Sequence, residues 1–274
     1  AKTTLGRLGM FFTEFVSPKL AVEDQVRRLR ELKPDVLWIY PSALRTVLHH
    51  AGSLQSFIQP RMVVYSAELM DDSLKDRLRR EGDYEIRNFY GSVECGRIAW
   101  ECRAGMGLHI NTDCSIVHLE DDIEVPGAGK SIVITNLNAR VSPYIRYRLG
   151  DLCERIDTPC SCGSPLPLLR APQGRDWDII RLPSGRLMSP WRINPLLREV
   201  PGLMQFRLIQ RAPDRLVLQL QFPSKPGRKV LDDLQWAILQ LFDEPVTIEV
   251  ETVEHFQNET LKFRAFVSEL GECL

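Results

Sequence analysis

Two groups of residues in this chain are of the types that do chemistry. The first is Tyr90-Gly91-Ser92-Val93-Glu94, which puts an aromatic ring, bare backbone and a carboxylate within five residues. It follows a short strand, Tyr84–Asn88, and the apolar Ile86, Phe89 and Val93 suit a buried strand end. Gly91 lets the backbone turn sharply or come close to a ligand. In α/β proteins the carboxyl end of a strand is where ligands bind. The second group is Cys102, His109, Cys160 and Cys162, the last two in the proline- and glycine-rich loop around Cys160-Ser161-Cys162-Gly163. Three thiolates and an imidazole suit tetrahedral zinc, although the CxC spacing is tighter than a finger knuckle. Cys153 is the reserve ligand, but its hydrophobic neighbours suit a buried core thiol. Such a metal would staple loops and take no part in a reaction.

The elements that must position these residues come in two styles. Ala21–Lys33 places Val22, Val26, Leu29 and Leu32 on one helical face, and Pro34-Asp35 ends it. Val36–Tyr40 reads as a buried strand, Pro41-Ser42 starts a second helix, and Met62–Tyr65 is a second strand within the run that begins at Arg61. A helix follows over Asp71–Arg80. This alternation predicts a largely parallel sheet with covered faces. Residues 103–172 are richer in glycine, proline and short β-type runs: His109–Asn111, Ser115–Leu119 and Ser131–Thr135 read as an antiparallel sheet beside the first. Beyond residue 174 the pattern is a small α+β unit of ferredoxin-like type. It comprises a hairpin over Ile179–Met188, a helix over Pro190–Glu199, a second hairpin over Gln205–Phe222, a helix over Val230–Phe242 and a strand over Val246–Val253.

Composition sets the outer bounds. At 274 residues, 44% hydrophobic and 26% charged, the chain can bury a substantial core in one large or two smaller domains. A net charge of −1 supplies no basic field for nucleic acid or an anionic membrane, and no apolar run is long enough to span a bilayer. Seven cysteines with no secretory signal argue for reduced thiols or metal ligands in a cytoplasmic setting.

Five stretches, in order, resemble the adenylate-forming superfamily, and within it the phenylacetate–CoA ligase-like and capsule-biosynthesis-like branch. Ser66-Ala67-Glu68 resembles the family's adenine-side strand end, and Tyr90–Glu94 its aromatic and metal-carboxylate motif. Tyr144-Ile145-Arg146-Tyr147-Arg148-Leu149-Gly150-Asp151 looks like RYRxGD, Gly174-Arg175-Asp176-Trp177-Asp178 like the hinge, and Leu261-Lys262-Phe263-Arg264 like the terminal lysine motif. Without the resemblance, Asp151 reads as a turn-capping carboxylate, Arg175 as a surface ion pair and Lys262 as a solvated loop lysine.

The resemblance implies a large adenylate-forming domain part over 1–174, a parallel sheet plus a smaller β-rich sheet, and a mobile α+β lid over 175–274. It implies activation of a carboxylic acid by ATP, giving an acyl-adenylate, and transfer to coenzyme A or another thiol. Lys262 would bridge the attacking carboxylate and the α-phosphate, and Glu94 would hold magnesium. Tyr90 with Gly91 and Ser66-Ala67-Glu68 would flank adenine; Asp151 and Arg175 would hold ribose. Arg146 lies near the ribose end with an anchoring or a structural role. Some branch members carry a structural zinc at the Cys/His set. A homodimer is compatible with all of this.

Three departures stand against the pattern. Trp177 occupies the first position of the hinge's acidic pair, Leu261 replaces a glycine, and the opening AKTTLGRLGMFF lacks a Ser/Thr/Gly-rich phosphate loop. Without backbone donors for the triphosphate, strong adenylation by this polypeptide alone is not expected. Either an upstream part has been removed or the chain is a natural remnant. The alternative is a non-catalytic relative that binds an adenylate or a protein partner.

Overall fold

The computed structural model describes residues 12–125, 129–172, 174–175, 179–254, 256 and 263–270. Lys262 and Leu261 of the terminal motif, and Asp176, Trp177 and Asp178 of the hinge motif, lie outside them.

The chain enters through α1 (Val22–Leu32), β1 (Val36–Ile39), α2 (Pro41–Ala51), β2 (Met62–Ser66), α3 (Asp72–Glu81) and β3 (Glu85–Ser92). Local chemistry sets the helix ends. Pro41 occupies the first turn of α2, where no backbone N–H is missed, and the Asp71 carboxylate caps α3 by accepting from the Leu74 amide at 2.9 Å. β1, β2 and β3 pair in parallel and in chain order. Two right-handed crossovers taken in the same direction put their helices on one face of the sheet. There Leu37, Val63, Tyr65 and Ile86 pack against Leu44, Val47, Leu48, Leu74 and Leu78. Burying each such leucine stabilises the fold by roughly 1.5–3 kcal/mol. The expectation of covered faces is met on this side only. On the other, Val36 and Trp38 are more than half exposed, because among the described residues no helix crosses that way.

The same sheet then changes hand of pairing. β4 (Gly96–Glu101) and β5 (Leu108–Ile110) extend it antiparallel, and the short β9 (Arg155–Ile156) and β10 (Leu168–Leu169) complete the order β1-β2-β3-β4-β5-β10-β9. The strand around His109, expected in a neighbouring sheet, therefore belongs to this one; all three of its residues are buried and pair on both edges. The neighbouring sheet is a meander of β6 (Ser115–Val125), β7 (Gly129–Asn136) and β8 (Tyr147–Cys153). Ile132, Ile134 and Cys153 from it close over Tyr90, Ile98, Ile110 and Leu169.

The C-terminal unit opens with the hairpin β11 (Ile180–Arg181) and β12 (Leu187–Met188). The helix expected over Pro190–Glu199 is instead a 3₁₀ turn, Pro190–Ile193, followed by the short α4 (Asn194–Arg198). The reason is Pro195, which lacks the N–H that a continuous helix would send to the Trp191 carbonyl. β13 (Gln205–Ala212), β14 (Arg215–Gln221), α5 (Arg228–Leu239), β15 (Thr247–Val253) and β16 (Phe266–Ser268) follow. Their sheet runs β15-β14-β13-β16, with α5 burying Leu234 and Ile238 against Leu216, Leu218 and Leu220.

Candidate functional site

β2 and β3 end side by side, with Ser66 paired to Phe89. The Ser66 hydroxyl accepts from Trp38 Nε1 at 2.8 Å, and Trp38 meets Phe89 edge to face. Ala67, next in the chain, sits at φ 67°, a left-handed conformation that L residues with a Cβ adopt at a cost. That turn sends the Glu68 carboxylate back to the start of α2. One oxygen accepts from the Ser42 amide and the other from its hydroxyl, both at 2.8 Å. The latter oxygen also accepts from the Phe263 amide at 3.1 Å, a partner 195 positions away.

One residue beyond the Phe89 pairing, the Tyr90 hydroxyl donates to Asp151 Oδ2 at 2.7 Å. Burial, then the Asp151 carboxylate, holds the Tyr90 hydroxyl well above its usual pKa. Asp151 Oδ1 faces Arg175 Nε at 3.4 Å, and the two residues also pair as an isolated antiparallel bridge, with Leu152 N donating to Gly174 O at 2.9 Å. Gly174 is at φ +135°, and a Cβ there would meet Trp191 Nε1 at 2.5 Å, so only glycine fits this entry into the C-terminal unit.

Gly91 has a different reason to be glycine from the one sequence suggested. A Cβ would lie 2.4 Å from the Gly96 carbonyl oxygen, so the close approach is between β3 and β4 across their own hairpin. Glu94 stands in that turn, half-buried, its carbonyl accepting from Asn136 Nδ2 at 3.4 Å. Arg146, also at positive φ, sends its guanidinium to Glu120 on the meander sheet, a structural contact.

At the antiparallel end of the large sheet, one ligand atom from each of Cys102, His109, Cys160 and Cys162 lies within 4.8 Å of all the others. Cys102 and Cys160 sulfurs are 3.6 Å apart, and Cys162 Sγ is 3.3 Å from His109 Nε2. Tetrahedral zinc with bonds of about 2.0–2.3 Å separates its ligands by roughly 3.3–3.8 Å, a spacing that these two pairs match. His109 Nδ1 lies 3.4 Å from the Leu166 carbonyl, which fixes the tautomer that leaves Nε2 for a metal. Burial pushes the Cys102 thiol up, but hydrogen bonds from His109, Ala104 and the two neighbouring cysteines outweigh it and hold it down to about 7. Cys153, the reserve ligand, is instead a fully buried core thiol, pushed up by burial.

Sequence reasoning named most of these residues but missed the partner that aims Glu68, Ser42. Pro41-Ser42 was visible as a helix start; nothing local marked it as the anchor of a carboxylate 26 positions on. A second contact joins the two parts of the chain. Arg45, its basicity lowered to about 10 mainly by burial, pairs with Asp71 and donates to the Met204 carbonyl at 3.0 Å beside a cavity of about 270 Å³.

No protein-family model matches this chain, and no curated protein sequence matches it. Solved structures do. A 2-hydroxyisobutyryl-CoA ligase in its postadenylation state, in complex with R3-HIB-AMP, superposes with a TM-score of 0.74 at 18% identity, over 91% of this chain and 57% of its own. The same ligase in an open conformation with 2-HIB-AMP and CoA gives 0.54, covering 89% of this chain and 58% of that one at the same identity. A benzoate CoA ligase from Burkholderia xenovorans LB400 gives 0.64 at 14% identity, over 89% of this chain and 52% of that one. The chain thus spans little more than half the length of these ligases. Over that length it has the mixed α/β fold of the acyl-adenylate-forming CoA ligases.

Proposed function

We propose that this chain is part of an acyl-adenylate-forming ligase of the phenylacetate–CoA ligase-like branch, activating a small carboxylic acid with ATP for transfer to coenzyme A or another thiol. The observation that carries this reading is the Tyr90–Asp151–Arg175 cluster at the carboxyl end of β3, where α/β folds take ligands. A carboxylate such as Asp151 suits adjacent ribose hydroxyls because its two oxygens accept in parallel, and Arg175 places a cation beside it. The backbone of Ser66-Ala67-Glu68 and the Tyr90 ring, with Gly91 behind it, would flank adenine. The junction at residues 174–175 would divide a large-domain part, 1–174, from a lid, 175–274. The higher likeness to the postadenylation structure than to the open one supports a lid placed as in that postadenylation state.

In that reaction the carboxylate attacks the α-phosphate and pyrophosphate leaves. Lys262 would bring positive charge to the oxygens where negative charge develops. Glu94, a half-buried carboxylate in an exposed turn, suits magnesium, which takes one or two protein carboxylates together with substrate phosphates. Zinc at Cys102, His109, Cys160 and Cys162 would tie β4 and β5 to the 160–163 loop and supply no chemistry.

Calorimetric titration of this polypeptide with AMP and with a non-hydrolysable acyl-adenylate mimic, beside Asp151→Ala, tests the reading. Binding that disappears in the variant supports it. A folded chain that binds neither ligand overturns it in favour of a non-catalytic relative.

A further inference from the structure

The four ligand atoms of the Cys/His set lie within 4.8 Å of one another, but the side chains that carry them differ in access to solvent. Cys102, His109 and Cys160 are buried, whereas Cys162 is the exposed one among the described cysteines. It stands in the turn 160–163, where Gly163 N donates to Cys160 O at 3.1 Å and residues 161–163 are all exposed. The Ser164 amide donates to the Cys162 sulfur at 3.4 Å, which suits a thiolate, the form that oxidants attack. Facing it is Cys102, at the end of β4, a strand paired on both edges. One thiol sits on a turn free to shift and the other on an anchored strand.

We propose that Cys162 is a peroxide-sensitive thiol and Cys102 its resolving partner, so that oxidation replaces the metal tie between β4 and the 160–163 turn by a disulfide. In the first step the Cys162 thiolate attacks hydrogen peroxide. An S–O bond forms, the O–O bond breaks, and the hydroxide released takes a proton to become water. In the second step the Cys102 thiolate attacks the Cys162 sulfur. The S–S bond forms, the S–O bond breaks, and a second hydroxide leaves and is protonated to water. The two thiolates together give up two electrons, and one peroxide is reduced to two waters. Their sulfurs, within 4.8 Å of each other, must close to bonding distance, a shift the exposed turn can make by moving toward the strand. Cys160 is the competing partner, but a bond from Cys162 to Cys160 would have to reshape the turn that Gly163 closes. With two of its four donors oxidised, the set can no longer hold zinc, which takes thiolates. Cys95 and Cys153 are buried in the core and out of reach. The loss of metal rests on the zinc reading above; the thiol chemistry does not.

Peroxide treatment of the full chain, both loaded with zinc and stripped of it, tests this with two readouts. Tryptic mapping without reductant should join peptide 98–103 to peptide 156–170, with fragmentation placing the bond on Cys102 and Cys162, and dithiothreitol should reverse it. In the loaded chain, a colorimetric chelator should record zinc released in step with the disulfide. In Cys102→Ser the Cys162 sulfenic acid has lost its partner, and its capture by dimedone should rise about tenfold over the unsubstituted chain. An unchanged capture yield denies Cys102 the resolving role. A disulfide confined to Cys160 and Cys162 overturns the proposal, as does oxidation of Cys162 straight to sulfinic acid. If Cys102→Ser fails to fold, the map of the unsubstituted chain decides by itself. A chain that takes up no zinc removes the metal reading, and the map of the stripped chain still judges the two thiols.

Discussion

The parallel and antiparallel halves of the large sheet each end in a polar cluster, and the two clusters are assembled differently. At the antiparallel end, Cys102, His109, Cys160 and Cys162 come from neighbouring strands and one adjoining loop, and they are mutually in reach without any ligand. At the parallel end, Ser66, Glu68, Tyr90, Asp151, Arg175 and Phe263 come from β2, β3, β8 and the C-terminal unit. The first cluster is local and closed, as structural metal sites are. The second is spread over both parts of the chain and depends on their mutual orientation. A cluster of the first kind should govern stability; one of the second kind should govern ligand affinity.

The comparison breaks most visibly at the cysteines. Cys160→Ser should take bound zinc from one per chain to near none by elemental analysis. The loss is on the order of 3 kcal/mol, and with ~2–4 °C per kcal/mol in a chain of this size it lowers the melting temperature by about 6–12 °C. AMP affinity should change less than about threefold; a larger drop would mean that the two clusters are not separate. Acid should strip the same metal, because thiolates and imidazole must be deprotonated to bind it.

Asp151→Ala is the converse experiment. Loss of charge-assisted hydrogen bonds of about 1.5–3 kcal/mol predicts a roughly 10- to 150-fold rise in the AMP dissociation constant, with zinc content unchanged. The substitution also leaves the buried Tyr90 hydroxyl without its acceptor, costing about 1–3 kcal/mol of stability. Asp151→Asn, which keeps an acceptor for Tyr90, should separate the two effects.

Gly91→Ala probes the strand end between the clusters. The added methyl must displace the Gly96 carbonyl, so about 1–3 kcal/mol of stability should be lost in chemical denaturation. An unchanged midpoint would show that the β3–β4 hairpin yields easily.

Tyr90→Phe gives up the same hydrogen bond to Asp151 and so costs stability at neutral pH too, but its distinguishing signature is small and appears in alkali. The folded-state pKa of Tyr90 is raised, so its contribution is full below the unfolded value near 10 and is lost as pH rises above it. Tyr90→Phe should therefore lose less stability than the unsubstituted chain between neutral pH and pH above 10, the difference being read in denaturant titrations.

Much of the first half of the chain was legible because its elements are written locally. The apolar spacing in α1 and α3, Pro41 at the start of α2 and the short apolar runs of β1 and β2 each state their structure within a dozen residues. The C-terminal unit was less so. Pro195 converted an expected helix into a 3₁₀ turn and a stub, and β16, three residues long, exists only because β13 is there to pair with it in parallel. Among the site residues, Tyr90, Asp151 and Arg175 were visible as a set only through the order of their motifs.

The sequence by itself determined which residues are available: the thiols and imidazole of the metal set, the carboxylates, and the β-branched and aromatic runs that make their strands. Residue type and near-neighbour spacing are enough for that, since helix and strand periods and ligand chemistry are local properties. Tertiary structure decided what each polar group is for. Glu68 faces Ser42 and Phe263, Gly91 answers to a neighbouring carbonyl, and Val36 and Trp38 on one face of the parallel sheet stay more than half exposed. Such outcomes depend on donors and surfaces brought from up to 195 positions away, because a half-buried carboxylate must find partners wherever the fold puts them.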